Sequence, residues 1–167
     1  MAKNKDKGAS LPLIFGIIYC VIYIITRITA GSAYNFLHKI SGVNIFSPLW
    51  LFSVFSALAF FLGGYYLGCQ IKSPCSCPKG CTQRADLYKG GILFTIVFFL
   101  SLMWYPTLFI RESVVLGFFI ALICFVLCVA VIYIWSRVKV CGLIFGALFA
   151  IWWLYVTILN FLLIFKI

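Results

Sequence analysis

Five stretches of this chain carry no charged residue and are long enough to cross a bilayer: about 11–26, 47–68, 90–110, 113–136 and 140–165. A helix of about 20 predominantly apolar residues spans the hydrocarbon core. The runs therefore predict an all-α membrane protein, a single five-helix bundle occupying residues 1–167. With flanking residues, the helices are expected at about 11–29, 47–68, 90–110, 113–136 and 140–165. An outer connection at 30–46 and a cysteine-rich inner loop at 69–89 separate the first three.

Composition agrees with this reading. Hydrophobic residues make up 65% of the chain and charged residues only 10%, whereas soluble domains are about half apolar. The net charge of +10 could suggest nucleic acid, but too few polar residues exist to build a basic groove. The charge is better read as a topology signal. With five spans, the N-terminal tail, the 69–89 loop and the 137–139 turn share one side and hold nine of the Lys and Arg residues, against four on the other side. The positive-inside rule then places the N-terminus inside and the C-terminus outside. Lys3, Lys5 and Lys7 before the first run resemble a signal-peptide start. No small-residue cleavage site closes that run cleanly, so cleavage is not expected.

The last run, Gly142–Ile167, has the most pronounced pattern. Steps of three and four residues align Phe149, Trp152, Val156 and Asn160 on one face. An amide among aromatic residues at membrane depth is costly unless it hydrogen-bonds to a neighbouring helix, a water or a ligand. This face is expected to form the inner wall of the bundle. Gly142, Gly146 and Ala150 form a smooth ridge for a neighbouring helix.

Elsewhere the residues leave alternatives open. The first run is apolar on all sides, and Arg27 near its end either snorkels to the headgroups or meets a ligand. The 30–47 segment, with Tyr34, His38 and Lys39, is too aromatic for a plain solvent loop and suits a lid over the bundle mouth. His38, the only histidine, serves lid packing or, less readily, acid–base or metal chemistry. Pro48 fits a first helical turn. Gly64 and Gly68 form a G-x-x-x-G, either packing within the monomer or forming a dimer seam. Cys69, Cys75, Cys77 and Cys81 could chelate a soft metal, be redox-labile or acylated thiols, or have no specific role. An inner-side location disfavours disulfides. Cys20, Cys124, Cys128 and Cys141 are expected to pack as small apolar residues. Pro106 should kink or end the third helix, and Trp104 before it is a belt residue or a pocket rim. The fourth run is the blandest, a lipid-facing or packing helix whose Tyr133, Trp135 and Arg137 make an interfacial anchor. Their loose match to a proposed cholesterol-contact pattern is weak.

The order of these features resembles the TspO/MBR family of translocator and tryptophan-rich sensory proteins, from about residue 31 onward. The family's first-loop pattern W-Y-x-x-L-x-K-P appears as Ala33-Tyr34-Asn35-Phe36-Leu37-His38-Lys39-Ile40, keeping the Tyr, Leu and Lys. Its second-helix pattern appears in Pro48, Trp50, Phe52, Phe60 and Gly64, with Ser56 where the family has a second tryptophan. The third-helix pattern L-N-x-x-W-x-P is matched by Leu100, Trp104 and Pro106, with Ser101 where the family has asparagine. The fifth-helix pattern is matched by Phe149, Trp152, Tyr155, Leu159 and Asn160.

The resemblance implies a five-helix bundle, often dimeric. Its pocket opens toward the first loop and binds tetrapyrroles such as protoporphyrin IX or, in eukaryotic members, sterols and isoquinoline-type ligands. Carried over residue by residue, the pocket wall comprises Tyr34, Lys39, Trp50, Phe60, Trp104, Phe149, Trp152, Tyr155 and Asn160. Aromatic walls with a few polar groups suit a flat apolar macrocycle independently of the resemblance. Some members are linked to light-dependent porphyrin breakdown through tryptophans on the second and fifth helices; Ser56 at one of these positions argues against that activity here. The cholesterol motif near the end of the fifth helix is also imperfect, with Phe161 where Tyr is wanted, so sterol specificity is not expected.

The leading expectation is a non-enzymatic, cofactor-free receptor or sensor for a porphyrin-like or other flat apolar ligand, with aid to its transport as an accessory role. It would lie in a multi-pass membrane, the plasma membrane if the source is bacterial. The competing readings are a structural or subunit-type membrane protein without a ligand, and a membrane enzyme or redox protein using the Cys loop or His38. The spans hold no acid–base or His–Cys constellation for the last of these.

Overall fold

The computed structural model describes residues 10–29, 49–72, 82–137 and 143–165. Five helices occupy them: α1 (Ser10–Thr29), α2 (Leu49–Lys72), α3 (Thr82–Phe109), α4 (Val114–Ser136) and α5 (Leu143–Ile164). No strand occurs among the described residues. Each helix contains a segment long and apolar enough to cross a membrane. The chain is an all-α, multi-pass integral membrane protein.

The largest departure from the sequence-based boundaries lies between α2 and α3. The expected loop at 69–89 is largely helical. α2 continues through Cys69 to Lys72, and α3 begins at Thr82 rather than near residue 90. Charges had marked where the apolar run ends, but a helix need not stop where the hydrocarbon does. The segment Thr82–Lys89 contains neither Gly nor Pro to interrupt it. Cys75, Cys77 and Cys81 lie outside the described residues. Among the described residues, no group of three or more His, Cys, Asp or Glu side chains gathers around a common point.

The helices pack in a ring, with α1 on α2, α2 on α5, α5 on α4 and α4 on α3; the seam between α3 and α1 is sparse. The α1–α2 seam depends on the G-x-x-x-G pair. A Cβ on Gly64 would sit 2.5 Å from the carbonyl oxygen of Phe15, and one on Gly68 would collide with the backbone of Pro12. The motif thus seats α1 within the monomer, where close backbone approach replaces a hydrophobic driving force that lipid cannot supply.

α4 does the same for the opposite wall. Its buried residues are Val114, Gly117, Ala121, Cys124, Cys128, Val131 and Trp135, spaced alternately by three and four, the period of a coiled-coil seam. Cys124 and Cys128 are small packing residues on this seam. Trp135 corrects the anchor reading. It is buried, stacks on Phe94 at 5.7 Å between centroids and meets Tyr66 edge-on at 5.1 Å. Its Nε1–H donates to the Leu87 carbonyl at 3.3 Å. Tyr133 and Arg137 are exposed, and the Arg137 guanidinium lies 4.3 Å from the Tyr133 ring and also donates to its hydroxyl. That pair alone fits an interfacial anchor.

Pro106 does not end α3, which runs on to Phe109. The Pro106 carbonyl accepts from the N–H groups of both Ile110 and Arg111. Glu112 then takes a left-handed conformation, φ 52°, stopping the helix as a residue just past a C-cap does.

The α1–α2 seam yields a paired prediction. Gly64→Val should lower the unfolding free energy by about 1–3 kcal/mol, the range of an overpacked core. Gly91→Ala, where a Cβ meets nothing within 4 Å, should leave stability unchanged or raise it. Equilibrium unfolding in mixed detergent micelles measures both.

Candidate ligand-binding site

Tyr23, Ser56, Trp104, Tyr105 and Asn160, all buried, gather at one end of the bundle, where α1 finishes and α2 begins. α3 and α5 finish at that end and α4 starts there. The short turn from α3 to α4 fixes part of this arrangement. The remainder follows from the alternating direction of successive spans.

A chain of hydroxyls links three helices there. The Tyr105 hydroxyl lies 3.1 Å from the Tyr23 hydroxyl and 3.0 Å from Ser56 Oγ, and Ser56 Oγ–H donates to the Phe52 carbonyl at 2.8 Å. All four residues are buried. The chain ends on a backbone acceptor, so each hydroxyl can donate once and none is stranded in hydrocarbon. Ser56 stands where the resemblance expected tryptophan. Its small side chain is what lets Tyr105 reach across from α3. Arg27, at the end of α1, places its guanidinium 5.9 Å from the Phe109 ring, so its side chain lies over α3.

Beside this network lies an aromatic cluster. Phe60 is sandwiched between Tyr23 at 4.9 Å and Phe149 at 6.1 Å. Trp104 meets Trp153 edge-on at 6.3 Å and Phe52 at 6.4 Å. Asn160 is 1% exposed, and its Nδ2 donates to the Val156 carbonyl at 2.7 Å. Asn160 Oδ1, Trp104 Nε1 and Trp153 Nε1 have no hydrogen-bond partner among the described residues. A Cβ on Gly117 of α4 would lie 3.1 Å from Asn160 Oδ1 and 3.6 Å from Trp104 Nε1. The missing side chain at Gly117 is what makes room for this donor and acceptor.

The open volume lies elsewhere. A groove of about 560 Å³ runs between α2 and α5, within the size range of small-molecule sites. α2 supplies Phe52, Phe55 and Ala59; α5 supplies Leu148, Trp152 and Tyr155. The Phe52 and Trp152 rings are 5.2 Å apart, and Trp152 lies 5.5 Å from Tyr155. Phe52 therefore stands between the groove and the Trp104 cluster.

The expected wall residues fall into two groups. Phe60, Trp104, Phe149 and Asn160 are in the interior; Trp152 and Tyr155 line the groove. Trp50 lies in α2 with its side chain outside the described residues, and Tyr34 and Lys39 lie outside them altogether. On α5 the inner face is Phe149, Trp153, Val156 and Asn160, with Trp153 1% exposed, whereas Trp152 was expected there. A step of either three or four from Phe149 stays near one face. With tryptophan at both positions, only the packing of α2, α3 and α4 chooses between them.

The sequence reading also missed Tyr23, Tyr105 and Phe52 as site residues. The signal for the tyrosines was present: a hydroxyl deep in a span needs a partner. Nothing in the linear pattern named which one.

Tyr105→Phe should cost about 0.6–1.5 kcal/mol, the range for a buried hydrogen bond in a membrane bundle. Ser56→Ala should then add little in the Tyr105→Phe background. A double-mutant cycle by equilibrium unfolding tests the coupling.

No curated protein and no solved structure matches the chain. A family model, described as TspO/MBR family, matches residues 9–165, nearly the whole sequence and all five helices. With the five-helix architecture and the aromatic bundle interior, that match settles the family: the chain belongs to the TspO/MBR family.

Proposed function

We propose that this protein is a membrane receptor or sensor that binds a flat apolar ligand of the porphyrin type, without chemical conversion. The observation that carries the reading is the aromatic groove of about 560 Å³ between α2 and α5, with the Trp104–Trp153–Asn160 cluster behind Phe52. A macrocycle lies against aromatic faces with large contact area and little entropic cost. The groove is lined by apolar and aromatic side chains with no charged residue among them. The carboxylates of a tetrapyrrole therefore belong outside it, and by the family resemblance Lys39 and Tyr34 of the first loop are the residues to meet them. Trp152 and Tyr155 form the α5 wall of the proposed site. Transport of the ligand is a further step that this binding would serve.

Titration of the purified protein with protoporphyrin IX, followed by tryptophan quenching and corrected for inner-filter effects, tests the proposal. Saturable binding in the micromolar range is expected. Trp152→Ala should weaken it about tenfold, since loss of one aromatic wall removes on the order of 1.4 kcal/mol. Lys39→Ala should weaken binding of the free acid and leave its dimethyl ester unaffected. Val126→Ala, on the exposed face of α4, should change nothing. Non-saturating quenching alike in all variants would mean partition into the micelle and would favour a structural subunit instead.

We also propose that the N-terminus lies inside and the C-terminus outside, on the nine-to-four distribution of Lys and Arg. Labelling of intact cells with an impermeant maleimide should then leave Cys75, Cys77 and Cys81 unmodified until the cells are opened. Labelling of these thiols from outside would reverse the orientation.

A further inference from the structure

We infer that the α2–α5 groove is a seat for one acyl chain of a bilayer lipid, which any other ligand of the groove must displace. The chain seat occupies the same groove as the proposed ligand but does not require that ligand to exist.

Position is the first argument. The α2 side of the groove runs from Phe52 to Leu62 and begins one turn into α2. At a rise of 1.5 Å per residue this is a length of about 15 Å, half of a hydrocarbon core about 30 Å thick. The groove is therefore as long as one leaflet's hydrocarbon is deep, the length over which a single lipid's chain extends.

Chemistry is the second argument. Ala59 and Leu148 give the groove an aliphatic lining, and Phe52, Trp152 and Tyr155 give it an aromatic one. The polar atoms of its aromatic side chains are an indole N–H on Trp152 and a hydroxyl on Tyr155. Water needs two to four polar partners to occupy a cavity, and these walls cannot supply them along the groove. An empty gap would forfeit dispersion contacts on both helices. Leu58, on the rim, is 50% exposed, so the groove opens sideways toward hydrocarbon. A flexible chain entering from the adjoining leaflet fills it.

Bromine on an acyl chain quenches a tryptophan that it touches, which provides the test. The full-length protein is placed in nanodiscs of dioleoyl phosphatidylcholine or its chain-brominated analogue. The Trp152 signal is taken as the difference between wild type and Trp152→Phe. Two variants fill the groove, Ala59→Leu from its floor and Leu58→Phe from its exposed rim; the second retains the core if the first does not fold. A control reporter, Val126→Trp, sits on the lipid-exposed face of α4.

The expected result is strong quenching of Trp152 that is mostly lost in the filled variants, with the α4 reporter quenched equally in every background. Equal Trp152 quenching with and without filling would overturn the inference, because only ordinary annular contact would remain. Absence of Trp152 quenching while the α4 reporter is quenched would also overturn it, in favour of a second protein surface over the groove. Porphyrin titration reads the proposed function separately, so either idea can fail alone.

Discussion

Everything in this fold depends on one constraint: hydrocarbon offers no hydrogen bond to a peptide group. A backbone crossing the bilayer must satisfy its own N–H and C=O groups, and in this chain five helices do so. The same solvent removes the force that drives helices together in water, since lipid tails are as apolar as Leu side chains. Association must then come from close contact. That explains why small residues sit at the tightest seams, Gly64 and Gly68 against α1, and Gly117, Ala121 and Cys124 along α4. The large side chains of the interior fill what those seams leave.

The hydrocarbon also governs the interior polar groups. Tyr23, Tyr105 and Ser56 come from three different helices and end on the Phe52 carbonyl. The network therefore ties α1, α2 and α3 together, and it adds hydrogen bonds to an α1–α3 seam otherwise bridged by Tyr19 against Phe98 and Arg27 over Phe109. A tryptophan at position 56 would have filled this space with a ring. Serine turns it into a hydrogen-bonded junction. Trp104 Nε1, Trp153 Nε1 and Asn160 Oδ1 beside it lack such partners among the described residues, which sets the two halves of the same end apart: one closed by its own hydrogen bonds, the other with two donors and an acceptor left over.

Phe52 connects these regions. Its carbonyl receives the hydroxyl chain, while its ring separates the Trp104 cluster from the open groove. The groove lies between α2 and α5 along the part of α2 from Phe52 to Leu62. Farther along the same pair the two helices interlock, through Gly63 against Phe149 and Gly146 against Tyr66. One helix pair thus supplies both a tight contact and an open slot, and the slot faces the membrane.

Much was determined by the sequence alone. Uncharged runs of spanning length dictate five membrane helices, because that follows from length and hydropathy without reference to neighbours. Motif order along the chain carried the family. Periodicity placed Phe149, Val156 and Asn160 on an inward face. Tertiary structure decided what periodicity leaves degenerate. It chose Trp153 over Trp152 for the interior and buried Trp135 where an anchor was expected. It assigned the G-x-x-x-G to the monomer and joined Tyr23 to Tyr105 across 82 residues. In a span where nearly every residue is apolar, hydrophobicity no longer distinguishes inside from outside. Only the shapes of the neighbouring helices do.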